Sequence, residues 1–326
     1  MNLNRRANLH ERVGHRVKLR DLRLLLALDE WGSMAKAATH LHLTQSAVSK
    51  AIAELEHTFG VRLFDRTPKG IEPTPYGRVL LKGGVAVFDE LRQSVNAIEH
   101  LADPTNGELR LGCTEPMAWG IVPAVIDRLV RQYPRLIFHV TQADPATLRY
   151  RELPERKIDF AIGRIVGPLP DDDIDAEVLY DEKVFVVAGA RSRWAKRRRI
   201  KLADLVDEPW SLPTPDSHSR AFLTEAFRVS GLPSPRVNAV AFSIPLHNAL
   251  LASGNFLCVL PNSLLHFSGK FVPFKILPVA WPTKLPVRPS PIGIITLKNR
   301  TPSPVARLFC EHARAVAKSL TSSGRR

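Results

Sequence analysis

The spacing of apolar residues changes once along this chain, and that change limits what the chain can fold into. From Leu19 to about Leu101 apolar side chains recur every three or four residues, which is the period of amphipathic helices. From Glu108 onward short β-type runs alternate with helical segments. Because an all-helical region and an alternating region build different layers, the 326 residues predict two or three domains.

The helical region begins with three helices joined by short connections. The first ends at Trp31-Gly32, and Ser33 and Thr44 are suitable N-caps for the second and the third. The residues expected to face inward are Leu19, Leu22, Leu25 and Leu26 in the first helix, Ala37, Ala38 and Leu41 in the second, and Val48, Ile52, Leu55 and Phe59 in the third. Spacings of four, three and four place the last set on one helical face.

The opposite face of the third helix carries short or flexible polar side chains. They are Gln45, Ser46, Ser49 and Lys50, beside Ala53. Such a face can approach the floor of the DNA major groove and hydrogen-bond base edges. Periodicity alone is equally compatible with any small three-helix bundle.

A wing is predicted after the third helix. Two short extended runs, 61–66 and 71–74, flank the turn Pro68-Lys69-Gly70. Arg66 and Lys69 then stand where a DNA groove or phosphate can be contacted. Helices and wing together predict a winged helix-turn-helix domain at 17–74.

The order of these residues resembles the LysR-type transcriptional regulators. The matching positions are Leu22, Gly32-Ser33, Ala37-Ala38, Leu41, 44–50, Leu55-Glu56, Gly60, 63–66 and 74–77. The resemblance implies that double-stranded operator DNA is the partner of the third helix and the wing. The DNA-binding residues we expect are Ser33, Thr44, Gln45, Ser46, Ser49, Lys50, Arg66 and Lys69.

A long linker helix is predicted at 75–103, reaching about Leu101. Leu81, Phe88, Val95 and Ala102 recur every seven residues, and Gly84, Leu91 and Ile98 fill the second heptad slot. We expect the first turns to pack on the winged domain and the remainder to pair with another helix. The resemblance implies dimers through this helix, pairing of dimers into tetramers, and RNA polymerase as a protein partner.

Residues 107–326 predict an α/β domain of two lobes. Strands are expected at 109–113, 137–142, 158–163, 183–188, 237–242, 256–260 and 292–297, with helices at 120–132, 146–156, 219–230, 245–253 and 304–320. The β-α-β-α-β order is typical of a largely parallel sheet covered by helices. The layout resembles type 2 periplasmic binding proteins, with lobe I at 107–179 and 285–326 and lobe II at 180–284.

A small-molecule inducer is expected in the cleft between the lobes, where strand-to-helix loops and helix N-termini converge. The candidate effector-binding residues are Thr114, Glu115, Pro116, Gln142, Arg164 and Ser243, with His218 and Ser219 as weaker candidates. The segment 162–165 is most similar to the branch of the family that includes the galactose-binding-protein regulator.

Each of these candidates has a purely structural alternative. Thr114 and Ser243 are also suitable N-caps, and Arg164 also suits a surface ion pair. Glu115 is unexpected in a pocket for a carboxylate, so it either favours a hydroxyl-rich or cationic effector or faces away.

Net charge is +14, yet residues 1–100 contribute only 15 Lys and Arg against 11 Asp and Glu. Bulk charge therefore does not locate the DNA-binding region. Two further basic segments stand out, the N-terminal extension 1–16 and the run 191–201. Each is either a DNA contact or a solvated surface.

Several classes of protein are disfavoured. Cys113, Cys258 and Cys310 form no pair with metal-ligand spacing, and GxSxG, HExxH, GxxxxGK(S/T) and GxGxxG are absent. We therefore expect no enzyme, cofactor or metal. The first 17 residues lack an apolar core and no uninterrupted apolar span occurs, which favours a cytoplasmic protein without a membrane partner. A solute-binding protein and a DNA-compacting protein are the alternatives.

Overall fold

The boundary between two units of the chain falls inside a long helix. The computed structural model describes residues 16–68, 70–166, 173–268, 274–283, 285 and 290–323. By their internal contacts these belong to a first unit, Met1–Ser94, and a second, Val95–Arg326.

The first unit contains the predicted three helices and wing. The helices are α1 (Leu19–Trp31), α2 (Met34–His40), α3 (Gln45–Phe59) and α4 (Pro75–Ala102), and the wing strands are β1 (Phe64–Thr67) and β2 (Gly70–Pro73). β1 and β2 pair antiparallel, with Arg66 opposite Ile71. The winged helix-turn-helix predicted from sequence is thereby confirmed.

The core of this unit follows the predicted apolar faces, with four residues less buried than expected. Val48, Ile52 and Leu55 are buried as predicted, and Leu28, which was not in the predicted stripe, is fully buried. Leu19 was expected in the first stripe and is instead exposed, in the first turn of α1. The three other residues are only partly buried: Leu26, Leu41 and Phe59.

The two predicted N-caps behave differently. The Thr44 hydroxyl accepts a hydrogen bond from the backbone N–H of Ala47 at 3.2 Å, as a cap does. Ser33 occupies the N-cap position of α2, but its side chain makes no capping bond. The Ser33 hydroxyl is therefore not required to start its helix.

The linker helix α4 packs on the winged core only along its first turns. Leu81 is buried there and Phe88 partly so. Further on, Leu91, Val95 and Ile98 are exposed, Ile98 by 66% of its surface. The second half of the predicted heptad seam is thus uncovered in the single chain.

The sheet of lobe I is largely parallel, as the sequence predicted, with one antiparallel strand among those described. Its described strands are β3 (Asn106–Cys113), β4 (Arg135–Gln142), β5 (Phe160–Arg164), β6 (Ile174–Asp181) and β14 (Pro291–Leu297), in the spatial order β4-β3-β5-β14-β6. β4 and β5 run parallel to β3, while β14 runs antiparallel to β5 and β6, so that β6 points the same way as β3. The antiparallel strand β14 is the one by which the chain returns to lobe I.

Lobe II has a sheet of the same kind among the residues described. Its strands are β7 (Val184–Gly189), β9 (Trp210–Leu212), β10 (Val237–Val240), β11 (Leu257–Pro261) and β12 (Phe274–Ile276), in the order β10-β9-β11-β7-β12. A separate pair joins β8 (Ile200–Lys201) to β13 (Val279–Ala280). The short strands β8, β9, β12 and β13 had no sequence signal.

Helices cover both sheets. They are α5 (Glu115–Trp119), α6 (Ile121–Gln132), α7 (Pro145–Thr147), α8 (His218–Val229), α9 (Ile244–Ala252), α10 (Asn262–Ser268) and α11 (Pro304–Ser323). The helix expected at 146–156 is replaced by α7 and a π-helical turn, Leu148–Glu152, in which the N–H of Leu153 bonds the carbonyl of Leu148. Such wide turns redirect side chains and are frequent at functional sites.

In the part of the chain that the structure describes, no helix combines the length and the apolarity needed to cross a membrane.

Candidate DNA-binding surface and effector cleft

The outer face of α3 presents the polar residues that the sequence singled out. Gln45, Ser46 and Lys50 are exposed, and Ser49 is half-buried. Lys50 lies 4.0 Å from Glu54 and keeps 79% of its side chain exposed. The hydroxyls of Thr44 and Ser46 lie 3.0 Å apart at the N-terminus of the helix. Three of the four side chains of this face are therefore accessible to solvent.

The wing is tied to the third helix by Glu56, a role that sequence analysis missed. Its carboxylate accepts hydrogen bonds from the backbone N–H groups of Leu63 and Phe64 at 2.8 and 3.3 Å. The N–H of Ile71 donates to the carbonyl of Gly32 at 3.0 Å. These bonds hold the backbone of the wing against α3 and the Gly32 corner, and Arg66 is exposed on the wing. Lys69 lies outside the described residues.

A groove of about 630 Å³ runs beside the third helix, between it and the start of α1. Arg16, Lys18, Arg20, Lys50 and His57 contribute to its walls. The sequence had assigned the residues before position 17 to an extension. Arg16, Lys18 and Arg20, on the α1 side of the groove, add positive charge next to the exposed polar face of α3.

In the second unit, a cavity of about 750 Å³ opens between the two sheets. Thr114, Glu115, Pro116, Arg164 and Ser243, all candidates from the sequence, line it. The weaker candidates His218 and Ser219 line it as well. Gln142 does not, because it ends exposed on the edge strand β4; Asp144, two residues later, takes its place.

Glu115 connects the two lobes. Its Oε1 accepts a hydrogen bond from the backbone N–H of Ile244 at 2.9 Å, at the N-terminus of α9 in lobe II. The side chain is buried, and burial raises the pKa of its carboxyl group. Glu115 thus acts on the protein itself and does not face away from the cleft.

Ser243 and Thr114 were both possible N-caps, and only Ser243 makes a capping hydrogen bond. The Ser243 hydroxyl accepts from the N–H of Leu246 at 3.4 Å, so it does cap α9. Thr114 stands at the N-cap position of α5 without a capping bond from its side chain. Its methyl group lies against Gly163, where an added Cβ would approach it to 3.2 Å.

Arg164 makes none of the ion pairs found among the described residues. Its Nη1 is buried and has no hydrogen-bond partner there. Burial lowers the pKa of its guanidinium to about 10, although the charge of Glu182 favours the protonated form. The surface ion pair that the sequence allowed is therefore not formed.

Glu182 is a second buried carboxylate in the cavity wall and was not foreseen. It accepts hydrogen bonds from the backbone N–H and the hydroxyl of Ser263, each at 2.9 Å. Burial raises the pKa of this carboxyl group. Nearby, the hydroxyl of Tyr180 donates to the sulfur of Met117 at 3.6 Å.

Two histidines lie in the cavity wall, where burial disfavours their charged forms. Burial, together with the charge of Arg164, lowers the pKa of His218 to about 4. Burial also lowers the pKa of His247. His247 Nε2 lies 3.1 Å from the carbonyl of Ala241, so it carries the proton and Nδ1 accepts from Ser211 at 2.8 Å.

The π-helical turn contributes Arg149 and Tyr150 to the cavity, again without a sequence signal. Arg149 is buried, donates to the carbonyl of Val166 and lies 5.3 Å from the ring centre of Tyr150. Tyr150 itself is exposed.

Outside the cleft, the basic run has its charges in solvent. Arg191, Arg193 and 196–199 are exposed, in the connection between β7 and β8. Arg193 pairs with Glu208, which also accepts from the indole N–H of Trp194 at 2.9 Å. Cys258, by contrast, is fully buried on β11, and burial raises the pKa of its thiol to about 12, as expected of an inert thiol.

Comparison with known families supports both halves of this picture. The profile described as bacterial regulatory helix-turn-helix protein, lysR family, matches residues 19–78, and that of the LysR substrate binding domain matches residues 102–318. The chain belongs to the LysR family. It is a DNA-binding transcriptional regulator with an effector domain of two α/β lobes.

Relatives and solved structures agree with the family. The HTH-type transcriptional regulator GbpR of Azospirillum brasilense is 30% identical over 93% of this chain and 87% of its own length. The transcriptional dual regulator GltC of Bacillus subtilis (strain 168) is 28% identical over 90% and 96%. The match to GbpR confirms the branch that segment 162–165 indicated.

Two full-length members of the family share the fold. A full-length OxyR variant from Pseudomonas aeruginosa has a TM-score of 0.63 at 22% identity, covering 93% of this chain and 97% of that one. CbnR complexed with its target DNA has a TM-score of 0.60 at 22% identity, covering 92% and 100%.

Proposed function

We propose that this LysR-family chain reads a specific operator with the outer face of α3 and changes its DNA contacts when an effector fills the cleft. The observation that carries the proposal is the set of polar side chains on α3, with Gln45, Ser46 and Lys50 exposed and Ser49 half-buried, on a helix whose Val48 is buried. Short polar side chains on an uncovered helix face suit base edges in the major groove. The winged domain is assigned to 17–74, the linker to 75–103 and the effector domain to 107–326.

Further DNA contacts are assigned by position. Arg66 and Lys69 of the wing and Lys18 and Arg20 of the groove beside α3 are proposed to meet phosphates. Ser33 is free to do so because its hydroxyl does not cap α2. Thr44 orders the N-terminus of α3, where backbone N–H groups favour a phosphate.

Self-association through α4 is part of the proposal. Leu91, Val95, Ile98 and Leu101 leave apolar surface in water in the single chain. Pairing of two α4 helices covers such a seam, and two recognition helices read two half-sites. Pairing of dimers and contact with RNA polymerase are proposed from the family resemblance.

The cleft is proposed to bind and not to catalyse. Its two buried carboxylates are occupied, Glu115 by the N–H of Ile244 and Glu182 by Ser263. His247 is held between Ser211 and a backbone carbonyl. Groups fixed in this way stabilise an arrangement of the lobes, which an effector then alters.

The test of operator reading is footprinting on the DNA beside the gene, combined with matched glutamine variants. Gln45→Ala should weaken binding to the protected site by about 1–3 kcal/mol, or roughly 5- to 150-fold, and change binding to random DNA little. Gln132→Ala, an exposed glutamine at the end of α6, is the control and should change neither. Equal losses on specific and random DNA would contradict base reading by α3.

A further inference from the structure

We propose that the effector cleft binds a small anion with an apolar body, whose acidic group lies between Arg164 of lobe I and the N-terminus of α8 in lobe II. The proposal deepens the proposed function, since it assumes that the cleft is the effector site. It assigns a chemical class and an orientation to the ligand.

The first argument is the unused hydrogen-bonding capacity of Arg164. Its buried Nη1 lines the cavity without an acceptor among the described residues. A buried guanidinium N–H without a partner is costly, and nearly all such groups find one. The neighbouring carboxylate that could serve, Glu182, is engaged by the N–H and the hydroxyl of Ser263 and forms no ion pair with Arg164. An anionic ligand supplies the missing acceptor.

The second argument is the helix that faces Arg164 across the cavity. α8 runs for 12 residues from His218. No described hydrogen bond uses the backbone N–H groups of His218 or Ser219, both of which line the cavity. Arg164 and His218 line the same cavity. A free helix N-terminus beside an unpaired guanidinium is a site for an anion.

The third argument concerns the other long helix at the cavity, α9. Its N-terminus is already occupied by the carboxylate of Glu115, which bonds the N–H of Ile244 at 2.9 Å. An external acid is therefore not needed there and is repelled by the charged form of Glu115. The anion site is thereby confined to the Arg164 side of the cleft.

The remaining wall explains why the ligand should have an apolar body. Tyr150, Val166, Phe242, Leu260 and Ile292 face the cavity. Burial of apolar ligand surface against these side chains stabilises binding.

The experiment measures direct binding by the full chain with three acids and their neutral isosteres: benzoate and benzamide, 3-phenylpropanoate and 3-phenylpropanamide, and hexanoate and hexanamide. Calorimetry should show at least one acid binding tenfold or more tightly than its amide, the difference expected of a charge-assisted bond in a buried site. Arg164→Gln should abolish that preference. Arg164→Lys should retain part of it, and Arg131→Gln, which removes an exposed arginine of α6, should leave it unchanged.

Several outcomes would overturn the inference. They are equal binding of acid and amide, an acid preference that persists in Arg164→Gln with an unchanged melting temperature, or no binding of any of the three acids at about 10 mM. Binding of an acid without any effect on the operator footprint would leave this inference intact and reject the proposed effector control. A neutral compound that binds the cleft and shifts the footprint would support the proposed effector control and reject the anion site.

Discussion

The third helix and the effector cleft hold their polar residues in opposite ways. On α3, Gln45, Ser46 and Lys50 project into solvent from one short segment and owe their positions to the helix alone. In the cleft, Glu115 and Arg164 come from distant segments and are largely buried. The polar side chains of α3 are exposed to solvent, whereas some polar groups of the cleft are already hydrogen-bonded within the protein.

The difference shows that the two sites fail in different ways when changed. We expect the loss of an exposed side chain on α3 to remove a contact to DNA and to leave the fold intact. Loss of Glu115 leaves the N–H of Ile244 without its partner and alters the protein before any ligand arrives. Variants that separate these effects test whether the two sites are independent.

The largest expected effect is a disruption confined to the winged unit. A Cβ at Gly77 would lie 2.1 Å from the backbone carbonyl oxygen of Leu63, so Gly77→Ala should destabilise this unit by about 3 kcal/mol, the upper end of the usual cost of overpacking. Gly83 lies in the same helix with open space around it, and Gly83→Ala should stabilise by up to about 1 kcal/mol. Hydrogen exchange of peptides from 19–67 measures both changes. Equal effects of the two variants would reject the close packing at Gly77.

The second prediction concerns the link between the lobes. Glu115→Ala should destabilise the effector unit by about 1.5–3 kcal/mol, because it removes a carboxylate acceptor from the N–H of Ile244. Urea unfolding and hydrogen exchange at 244–248 measure the change. Faster exchange within 19–59 as well would show that the two units are not independent.

The pH dependence of Glu115→Gln refines this prediction. The folded-state pKa of Glu115 is raised by burial, so the folded protein binds the proton more tightly than the unfolded chain does. Stability should therefore decline as pH rises from the ordinary pKa of a glutamate through the raised value. The Gln variant keeps an acceptor and lacks the titration, so its decline should be shallower. An identical slope would contradict the contribution of Glu115.

A smaller effect separates the two N-caps of the winged domain. Thr44→Val should cost about 1 kcal/mol of stability, since the hydroxyl of Thr44 caps α3. Ser33→Ala should change stability by less than about 0.5 kcal/mol, because Ser33 makes no capping bond. Thermal unfolding measures both. A reversed order would mean that the helix starts are assigned wrongly.

The smallest effect distinguishes exposed charge that meets DNA from exposed charge that does not. Arg66→Gln, in the wing, should reduce the slope of log affinity against log salt by about 0.9, the contribution of one phosphate contact. Arg198→Gln, in the basic run, should leave the slope unchanged if that run is a solvated surface. A reduction in the Arg198 variant would instead place the run against the DNA flank.

The sequence predicts the winged domain well because its structure is local. Val48, Ile52 and Leu55 lie within two turns of each other, and their spacing alone determines which face of α3 is buried. The helix period also predicted the extent of α4. Leu19 was misplaced because periodicity does not show where a helix leaves the core.

The cleft was predicted only in outline because its contacts span the chain. The bond between Glu115 and Ile244 joins residues 129 positions apart, and neither has a neighbour in sequence that signals it. Strand ends and N-cap residues indicated seven of the lining positions, with His218 and Ser219 as the weaker candidates. Glu182, Arg149 and the antiparallel strand β14 depend on how the lobes are joined, which local patterns do not encode.

The bonds from Glu56 to Leu63 and Phe64 have a mechanical consequence for gene control. Because the wing is bonded to α3 and to Gly32, the protein sets the distance between the wing and α3, the two elements proposed to contact DNA. We expect α3 and the wing to move as one rigid unit when an effector binds. The DNA then deforms, while the wing keeps its position relative to α3.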